Sequence, residues 1–339
     1  MQMIDTRRAI AESTGQLTDR EDPLNVLRST ADVVRQAEDV SIDMEALSAT
    51  ASRLARSGAA PPAWNTHYHL TGDERSVASF VLVLDTLNYC FWPEPRWLFD
   101  YQGETLDGYW ALASSLKTAV LAGRPILDAG YLSGIEADDL AELLGGRHRL
   151  PLMEQRAAGL RELGRLALDR CDGDLAGIVE SAGGDAIRLV EIVRDRLPSY
   201  RDCAEYRGAT VWLLKRAQIL AADLSGALAG AGLGDLARID TLTTFADYKI
   251  PQILRHFGVL RYSRDLAATV DSRLPLPAGS SQEVEIRAAT IWSVALLRAE
   301  LSRLGVERSA VELDWLLWEE SQAINHHAPP YHRTLTIYY

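Results

Sequence analysis

Lysine is scarce in this chain of 339 residues. Lys117, Lys215 and Lys249 are the only lysines among 35 basic residues, so arginine carries most of the positive charge. The 47 acidic residues leave a formal net charge of −12. A surface that binds a polynucleotide needs a net basic face. The composition therefore disfavours a stable nucleic-acid complex, while it permits the binding of a single small nucleotide.

Cysteine is rare as well, and a long apolar run is missing. The three cysteines are widely spaced and form no CxxC pair, so neither a disulfide framework nor a thiolate zinc site is predicted. The most apolar stretch, residues 77–92, is interrupted by Asp85 and Asn88 and is too short to cross a bilayer. The first residues contain no apolar core of a signal peptide. We expect a cytoplasmic protein with no membrane partner.

Apolar residues recur at helical spacing along nearly the whole chain, which predicts a mainly α fold. Strand-like alternation is confined to residues 64–70 and 333–339, and no linker is long enough to require a domain boundary. We therefore expect a single domain over residues 1–339. The predicted helices cover residues 24–34, 43–56, 76–91, 105–122, 136–145, 152–170, 184–197, 207–229, 283–304 and 309–324.

Polar residues interrupt the apolar pattern in the segment FVLVLDTLNYCFWP, residues 80–93. On one continuous helix, Asp85, Asn88, Tyr89 and Trp92 share a face. A buried carboxylate is costly unless it is paired or hydrogen-bonded. One interpretation is a structural aspartate that caps a helix or meets an arginine. The other is a carboxylate and an amide that bind the edge of a planar ligand, with Trp92 stacked on its face.

A second cluster lies in TFADYKIPQILRHFG. Pro251 suits the first turn of a short helix and Gly258 suits the position after its end. The loop before this helix then delivers Asp247, Tyr248 and Lys249 to the helix N-terminus, where an anion or a developing charge is best stabilised. A surface pair between the aspartate and the lysine is the structural alternative.

The third cluster comprises ELDWLLWEES and the closing NHHAPPYHRTLTIYY. Asp314 and Trp318 are four residues apart and share a helical face. His332 and Arg333 are candidates for binding a phosphate, with the final aromatic residues docked on the body of the protein. No pair of histidines has a diagnostic zinc spacing, so we expect no metal.

Together, FVLVLDTLNYCFWP, FADYKIPQILRHFGVLRYS and PPYHRTLTIYY resemble the queuosine salvage protein family, whose members are queuosine 5′-phosphate N-glycosylases that release the base queuine. The resemblance covers essentially the full chain, with the motifs in family order. It implies a mainly α fold similar to the helix-hairpin-helix DNA glycosylases, a small-molecule nucleotide as substrate and no cofactor. The stretch AGLGDLARIDTLTTFAD is consistent with it, because a glycine-rich hairpin leads there to an aspartate at a helix entrance.

Hydrolysis of an N-ribosyl bond develops positive charge on the sugar and negative charge on the departing base. The resemblance and this chemistry together make Asp247 the catalytic carboxylate, with Lys249 holding it ionised or binding the phosphate. Asp314 is expected to pair with the secondary amine of queuine. The full set of substrate-binding candidates is Asp85, Asn88, Trp92, Phe245, Tyr248, Lys249, Arg255, His256, Asp314, Trp318, His332 and Arg333, of which Arg255, His256, His332 and Arg333 are phosphate candidates.

Two other classes of function stay open at this point. One is a non-catalytic helical scaffold or tRNA-interaction protein, although the net charge of −12 counts against the tRNA version. The other is a nucleosidase for an ordinary purine nucleotide.

Overall fold

Short polar side chains begin many of the helices. In these helices the N-cap oxygen accepts a hydrogen bond from a backbone N–H of the first turn, which satisfies a donor that the helix itself leaves unpaired. The computed structural model describes residues 2–324 and 328–339, and of residues 2–5 and 7–9 it describes the backbone. The capping residues are Asp43, Asp73, Asp128, Asp185, Ser263, Ser280 and Ser309.

The chain is mainly α, as predicted. The predicted helices are confirmed except in residues 88–91, 105–107 and 207–214 and for one or two residues at several helix ends; residues 105–107 belong to a strand. None of the helices in the described residues is both long and apolar enough to cross a membrane. The helices are α1 (Gln2–Gln16), α2 (Val26–Gln36), α3 (Met44–Ser57), α4 (Glu74–Leu87), α5 (Gly108–Leu121), α6 (Ala129–Gly134), α7 (Ala137–Leu144), α8 (Met153–Arg170), α9 (Ala176–Glu180), α10 (Ala186–Arg196), α11 (Lys215–Ala227), α12 (Lys249–His256), α13 (Arg264–Asp271), α14 (Ser281–Arg303) and α15 (Ala310–Ala323).

Short antiparallel ladders accompany the helices. The strands are β1 (Val40–Ile42), paired with β6 (Leu260–Tyr262), β2 (Leu98–Tyr101), paired with β3 (Glu104–Asp107), and β4 (Cys203–Tyr206), paired with β5 (Ala209–Trp212). The helix predicted over 207–229 is therefore wrong at its start. Arg207 and Gly208 both have positive φ, 50° and 82°, and make the tight turn of a hairpin, which helical periodicity does not reveal.

The two strands predicted from alternation are wrong. Residues 64–70 form turns, in which the side chain of Asn65 accepts the N–H of His67 and its carbonyl accepts the N–H of His69. Such local bonds compete with strand pairing. Residues 333–339 contribute only an isolated bridge from Arg333 to Pro275 within the described part of the chain.

The chain divides into two compact units, each assembled from separate stretches. The unit we call the α14 unit comprises Met1–Pro62, Asp202–Lys215 and Asp240–Leu335. Within it α14 packs against α2, α3, α12 and α15. The other unit, which we call the α8 unit, comprises Ala63–Arg201, Arg216–Ile239 and Thr336–Tyr339, and in it α8 packs against α4, α6, α7 and α9. The expected single domain over residues 1–339 stays a prediction.

Two buried arginines in the α8 unit bind the backbone at the end of α4. The guanidinium of Arg156 donates to the carbonyl oxygens of Leu87 and Tyr89, and that of Arg216 donates to the carbonyl oxygen of Thr86 at 2.8 Å. These oxygens belong to the last helical turn and the residues after it, where the helix supplies no partner. The buried arginines therefore stabilise the point at which α4 ends.

The helix predicted through residue 91 is wrong beyond Leu87 for this reason. Asn88 is the C-cap of α4, and Cys90 has a φ of 50°, so the chain leaves the helix before Trp92. Asp85 and Trp92 consequently do not share a helical face. The docked terminus is confirmed, because the carbonyl oxygen of Tyr339 accepts the N–H of Cys90 at 3.0 Å.

Candidate functional site

Asp247 stands at the entrance of α12, as predicted. Its Oδ1 accepts the backbone N–H groups of Lys249 at 2.7 Å and of Ile250 at 2.9 Å. Gly258 has a φ of 76° just past the helix end, which confirms the predicted boundary. Asp247 is half-buried. Both of these hydrogen bonds are made by Oδ1, and the second carboxylate oxygen, Oδ2, takes part in neither. A carboxylate is thus fixed by one oxygen at a helix N-terminus, where negative charge is stabilised.

Asp314 approaches the same loop from α15. Its Oδ2 accepts the hydroxyl of Thr244 at 2.5 Å and the backbone N–H of Phe245 at 2.7 Å. Only 4% of Asp314 is exposed. These two bonds fix the loop two residues ahead of Asp247, so Asp314 supports the segment that carries the catalytic candidate. Its predicted contact with the substrate stays a prediction.

The two carboxyl groups and Lys215 influence one another electrostatically. Burial raises the pKa of Asp247 above its ordinary value, and the positive charge of Lys215 is the main effect that opposes this rise. Burial raises the pKa of Asp314 to about 7, and the negative charge of Asp247 adds to the increase. Like charges in one site cannot both ionise freely. Asp314 therefore keeps its proton up to about neutral pH, beside an Asp247 whose charge is compensated by Lys215.

Lys215 is the first residue of α11 and is 5% exposed. Its backbone N–H donates to Oδ2 of Asp202 at 2.9 Å. Asp202 forms a buried ion pair with Arg287, and Nε of Arg287 donates to the carbonyl oxygen of Ala246 at 3.0 Å. The backbones that carry Lys215 and Asp247 are therefore joined through one ion pair.

Aromatic and cationic side chains gather beside the entrance of α12. The rings of Tyr248 and Tyr331 lie 4.9 Å apart between centroids. Nζ of Lys249 and the guanidinium carbon of Arg333 lie 5.6 Å and 6.0 Å from the centroid of the Tyr331 ring, within the range of a cation–π interaction. All four residues are half-buried, so each keeps part of its surface accessible. The structure thus brings together three of the predicted residues with Tyr331, which the sequence did not single out.

Other predicted substrate residues of the α14 unit occupy different surroundings. Phe245 is 1% exposed and packs in the core, so it presents no face to a ligand. Arg255 forms a two-bond ion pair with Asp271, at 2.7 and 3.0 Å, and His256 is exposed. Both lie near the far end of α12, which is about 10 Å along the helix from its first residue. The structure therefore does not group Arg255 and His256 with Asp247.

His332 and Trp318 complete the predicted set of this unit. His332 is 1% exposed, and burial together with the charge of Arg287 lowers its pKa to about 3. It is therefore neutral at physiological pH and lacks the charge expected of a phosphate ligand. Trp318 is half-buried and lies one turn beyond Asp314 on the same face of α15.

The remaining predicted residues lie in the α8 unit. Asp85 is fully buried, and the amide of Asn88 donates to its Oδ1 at 3.3 Å, while Trp92 is half-buried. Burial is the main cause that raises the pKa of the Tyr109 hydroxyl, and the negative charge of nearby Asp85 adds to this rise. Nε2 of His69 lies 2.8 Å from the same hydroxyl. Asp85 is thus bonded to Asn88 and lies near Tyr109 in the polar interior of this unit, and its role in binding the base stays a prediction.

No group of three or more histidine, cysteine, aspartate or glutamate side chains in the described residues is arranged to hold a metal ion. His326 and His327 lie outside the described residues.

Comparison with known proteins gives a consistent result over most of the chain. Residues 67–339 match the model of a family described as queuosine salvage protein. A protein of Sphaerobacter thermophilus named queuosine 5′-phosphate N-glycosylase/hydrolase is 46% identical over 323 residues, which cover 95% of this chain and 100% of the relative. Proteins with the same name from Dictyostelium discoideum and Mus musculus are 38% and 34% identical, covering 77% and 94% of this chain and 78% and 99% of those relatives.

The chain belongs to the queuosine salvage protein family. The resemblance seen in the three motifs is thereby confirmed. The family match begins at residue 67, so it includes the whole of α12, α14 and α15 and the segments that carry Lys215 and Tyr331.

Sequence reasoning missed Lys215 and Tyr331 in this member of the family. Lys215 was placed inside a long helix, whereas it begins α11 directly after a hairpin. The scarcity of lysine in this chain is the feature that could have pointed to Lys215, because two of the three lysines lower the pKa of Asp247. Tyr331 lies in the quoted motif PPYHRTLTIYY, but nothing in the spacing indicated that its ring meets Tyr248 and Lys249.

Proposed function

We propose that this protein hydrolyses the N-glycosidic bond of queuosine 5′-phosphate and releases queuine and ribose 5-phosphate. The observation that carries the proposal is the coupling of Asp247, Asp314 and Lys215 at the entrance of α12. The relatives named for this activity match nearly the whole chain, which supports the choice of substrate. Released queuine would serve the salvage that the family description names.

Asp247 is the catalytic carboxylate in this proposal. As the bond between C1′ and the base nitrogen breaks, the electron pair leaves with the base and positive charge develops on the ribose. A carboxylate close to the sugar stabilises that charge and accepts a proton from the water whose oxygen bonds to C1′. Lys215 and Lys249 keep the carboxyl ionised, since the charges of both lower its pKa. The α12 N–H groups hold Oδ1 in place.

Queuine is a 7-deazapurine, and it therefore offers no N7 for protonation. The departing base has to be stabilised at its pyrimidine edge and held by stacking, as enzymes that extract bases from nucleic acid do. Asp85, Asn88 and Trp92 stay candidates for these contacts. No metal ion or organic cofactor enters this scheme.

Asp314 acts on Asp247 in our proposal, and its 4% exposure disfavours direct contact with the amine of the substrate. A carboxyl group with a pKa of about 7 is largely protonated at pH 6 and largely charged at pH 8. A neutral Asp314 favours the ionised form of Asp247, because two like charges repel each other. The pair is thus arranged so that one negative charge faces the reacting sugar.

We propose that Lys249 and Arg333, both within about 6 Å of the Tyr331 ring, bind the 5′-phosphate. Charged donors form the strongest hydrogen bonds with phosphate oxygens. Lys249 is also next to the α12 N-terminus, which favours an anion. Arg255 is engaged by Asp271, and His332 is neutral, so neither is included in this phosphate site.

The glycine-rich turn at Gly232–Gly234 follows α11 and precedes the loop of Asp247. This order, together with the mainly α fold, supports the proposed similarity to helix-hairpin-helix DNA glycosylases. We propose a single small-molecule nucleotide as substrate and a cytoplasmic location. The net charge of −12 and the three free cysteines support these assignments.

The test is to mix the pure full-length protein separately with queuosine 5′-phosphate, guanosine 5′-phosphate and tRNA and to measure the free base by mass spectrometry. We expect queuine from the first substrate and no base from the other two. Guanine release would indicate a general nucleosidase, and release from tRNA would contradict a small-molecule substrate. Absence of any base would leave a non-catalytic scaffold.

A further inference from the structure

Arg287 lies in the most deeply buried part of α14. Every residue from 283 to 294 is buried, and Arg287 is 2% exposed. Its Nη1 and Nη2 donate to the two carboxylate oxygens of Asp202 at 3.0 and 2.6 Å, and its Nε donates to the carbonyl oxygen of Ala246 at 3.0 Å. A planar fork with a third donor on one side is a geometry that only arginine supplies.

Asp202 in turn organises the backbone just before α11. Its carbonyl oxygen accepts the N–H groups of Leu213 and Leu214 at 3.1 Å, and its Oδ2 accepts the N–H of Lys215. Leu214 has a φ of 51°, a left-handed conformation that is unfavourable for leucine. Surrounding contacts have to hold such a residue, and Asp202 supplies two of them.

We propose that the Arg287–Asp202 ion pair positions Lys215 and Asp247 relative to each other, and so sets the charge of Asp247 during the reaction. This inference rests on the proposed function. Arg287 fixes the carbonyl one residue before Asp247, while Asp202 fixes the backbone nitrogen of Lys215. Both members of the pair act through other residues and are positioning residues.

The charged groups that act on Asp247 come from three helices: Lys215 begins α11, Lys249 begins α12, and Asp314 lies in α15. Of these, Lys215 opposes the rise in the pKa of Asp247 most strongly. If Lys215 moves away, the pKa of Asp247 increases, and more of the carboxyl is protonated at a given pH. The acidic limb of the kcat profile then moves to higher pH.

A buried ion pair does not necessarily stabilise a protein, because two apolar residues of similar size can often replace it without lowering the free energy of unfolding. This allows the positioning role to be separated from folding. The conservative variant Arg287→Lys keeps the positive charge but loses the planar guanidinium, which donates to both Asp202 oxygens and to the carbonyl of Ala246. The double variant Asp202→Leu with Arg287→Met removes both charges of this pair together. Glu283, whose Oε1 lies 3.5 Å from Nη1 of Arg287, keeps the hydrogen bond that its Oε2 accepts from the backbone N–H of Gly279.

Glu285 provides a matched control on the same helix. It is 2% exposed, and its Oε2 accepts the backbone N–H groups of Glu38, Asp39 and Val40. Its Oε1 accepts the hydroxyl of Tyr206 at 2.8 Å. Glu285→Gln therefore removes a buried charge of α14 whose hydrogen bonds, in the described residues, go to the backbone at the start of β1 and to Tyr206. We expect this variant to be less stable while its kcat, measured well below its melting temperature, stays unchanged.

The experiment measures kcat and KM for queuosine 5′-phosphate between pH 5 and 9, with a melting curve for each variant. We expect Arg287→Lys and the double variant to lose at least about 10-fold in kcat, because small displacements of reacting groups have large effects on rate. KM should stay within about 3-fold, since the phosphate and base contacts are intact. The acidic limb of kcat should move to higher pH in both variants.

A normal kcat and an unshifted pH profile in either folded variant would overturn the proposal. So would an equal loss of kcat in Glu285→Gln, because the effect would then follow from stability. The pKa of Asp247, followed by carboxyl-carbon NMR, tests the same inference without turnover. A wild-type protein that releases no queuine contradicts the proposed function, whereas an unchanged pKa of Asp247 in Arg287→Lys contradicts the positioning role.

Discussion

Replacing Asp247 with asparagine removes a charge and keeps the hydrogen bonds that fix the loop. Oδ1 of Asp247 accepts the N–H groups of Lys249 and Ile250, and the amide oxygen of asparagine can accept both. Loss of a helix cap typically costs about 1 kcal/mol, but asparagine has nearly the same shape as aspartate and keeps this cap. We therefore expect Asp247→Asn to fold and to bind the substrate nearly as well as the wild-type protein does.

The effect on catalysis follows from the electrostatics of a half-buried carboxylate. Two unit charges about 4 Å apart interact with about 4 kcal/mol at the effective dielectric constant of such a site. If that interaction exists only when the ribose becomes cationic, its loss lowers kcat by about 10³-fold, since each 1.36 kcal/mol is about a factor of ten. KM should change little, because the ribose is uncharged in the ground state and makes no such interaction with the carboxylate.

Single-turnover release of queuine, a binding titration and a melting curve measure these quantities. Asp43→Asn is the matched control, because Oδ1 of Asp43 likewise accepts two N–H groups at a helix start, those of Glu45 and Ala46. The control should retain kcat. If Asp247→Asn is stable, binds the substrate and releases queuine at a nearly normal rate, the catalytic carboxylate is a different residue, and Asp314 and Asp85 are the next to test.

Three further outcomes are expected. Lys249→Gln and Arg333→Gln should each lower kcat/KM for queuosine 5′-phosphate far more than for queuosine, and an equal loss for both substrates would contradict the phosphate site; one phosphate held by charged donors contributes about 2–4 kcal/mol, or roughly 30- to 1000-fold. Asp314→Asn should flatten the fall in unfolding free energy between pH 4 and 7. A carboxyl whose pKa rises from 3.8 to about 7 on folding stabilises the protein at low pH, and this contribution of up to about 4 kcal/mol is lost as the pH rises from the unfolded to the folded pKa; a urea series in which the variant keeps the wild-type slope would refute this. Dialysis against a chelator should leave turnover unchanged, and activity that is lost and then restored by zinc would contradict the scheme.

The sequence predicts the part of the site that depends on local structure. Pro251 and Gly258 define α12 from both sides, and this alone places Asp247 at a helix N-terminus. The four-residue spacing of Asp314 and Trp318 likewise predicts one face of α15. These predictions succeed because each depends on residues fewer than a dozen positions apart.

The parts that the sequence does not reveal depend on distant partners. Arg156 ends α4 by binding carbonyl groups nearly seventy residues away in the chain, at Leu87 and Tyr89. Composition and periodicity treat an arginine as a surface residue, so no local pattern predicts this burial. Lys215 is hidden for a similar reason, since the hairpin before it is made by β4 and β5 and its anchor is Asp202.

Arginine and lysine have different roles in the α14 unit, and the difference follows from their side-chain chemistry. Arg287 binds two oxygens of Asp202 and one carbonyl, a task that requires a rigid fork of several donors. Lys215 and Lys249 act on Asp247 as compact charges, and both lower its pKa. A chain that uses arginine for nearly all its positive charge therefore places two of its three lysines where a point charge has to adjust the ionisation of one carboxylate. Burial raises the pKa of Asp247, and the two lysines and the α12 N–H groups act in the opposite direction, which favours the carboxylate form that can stabilise the developing ribosyl cation.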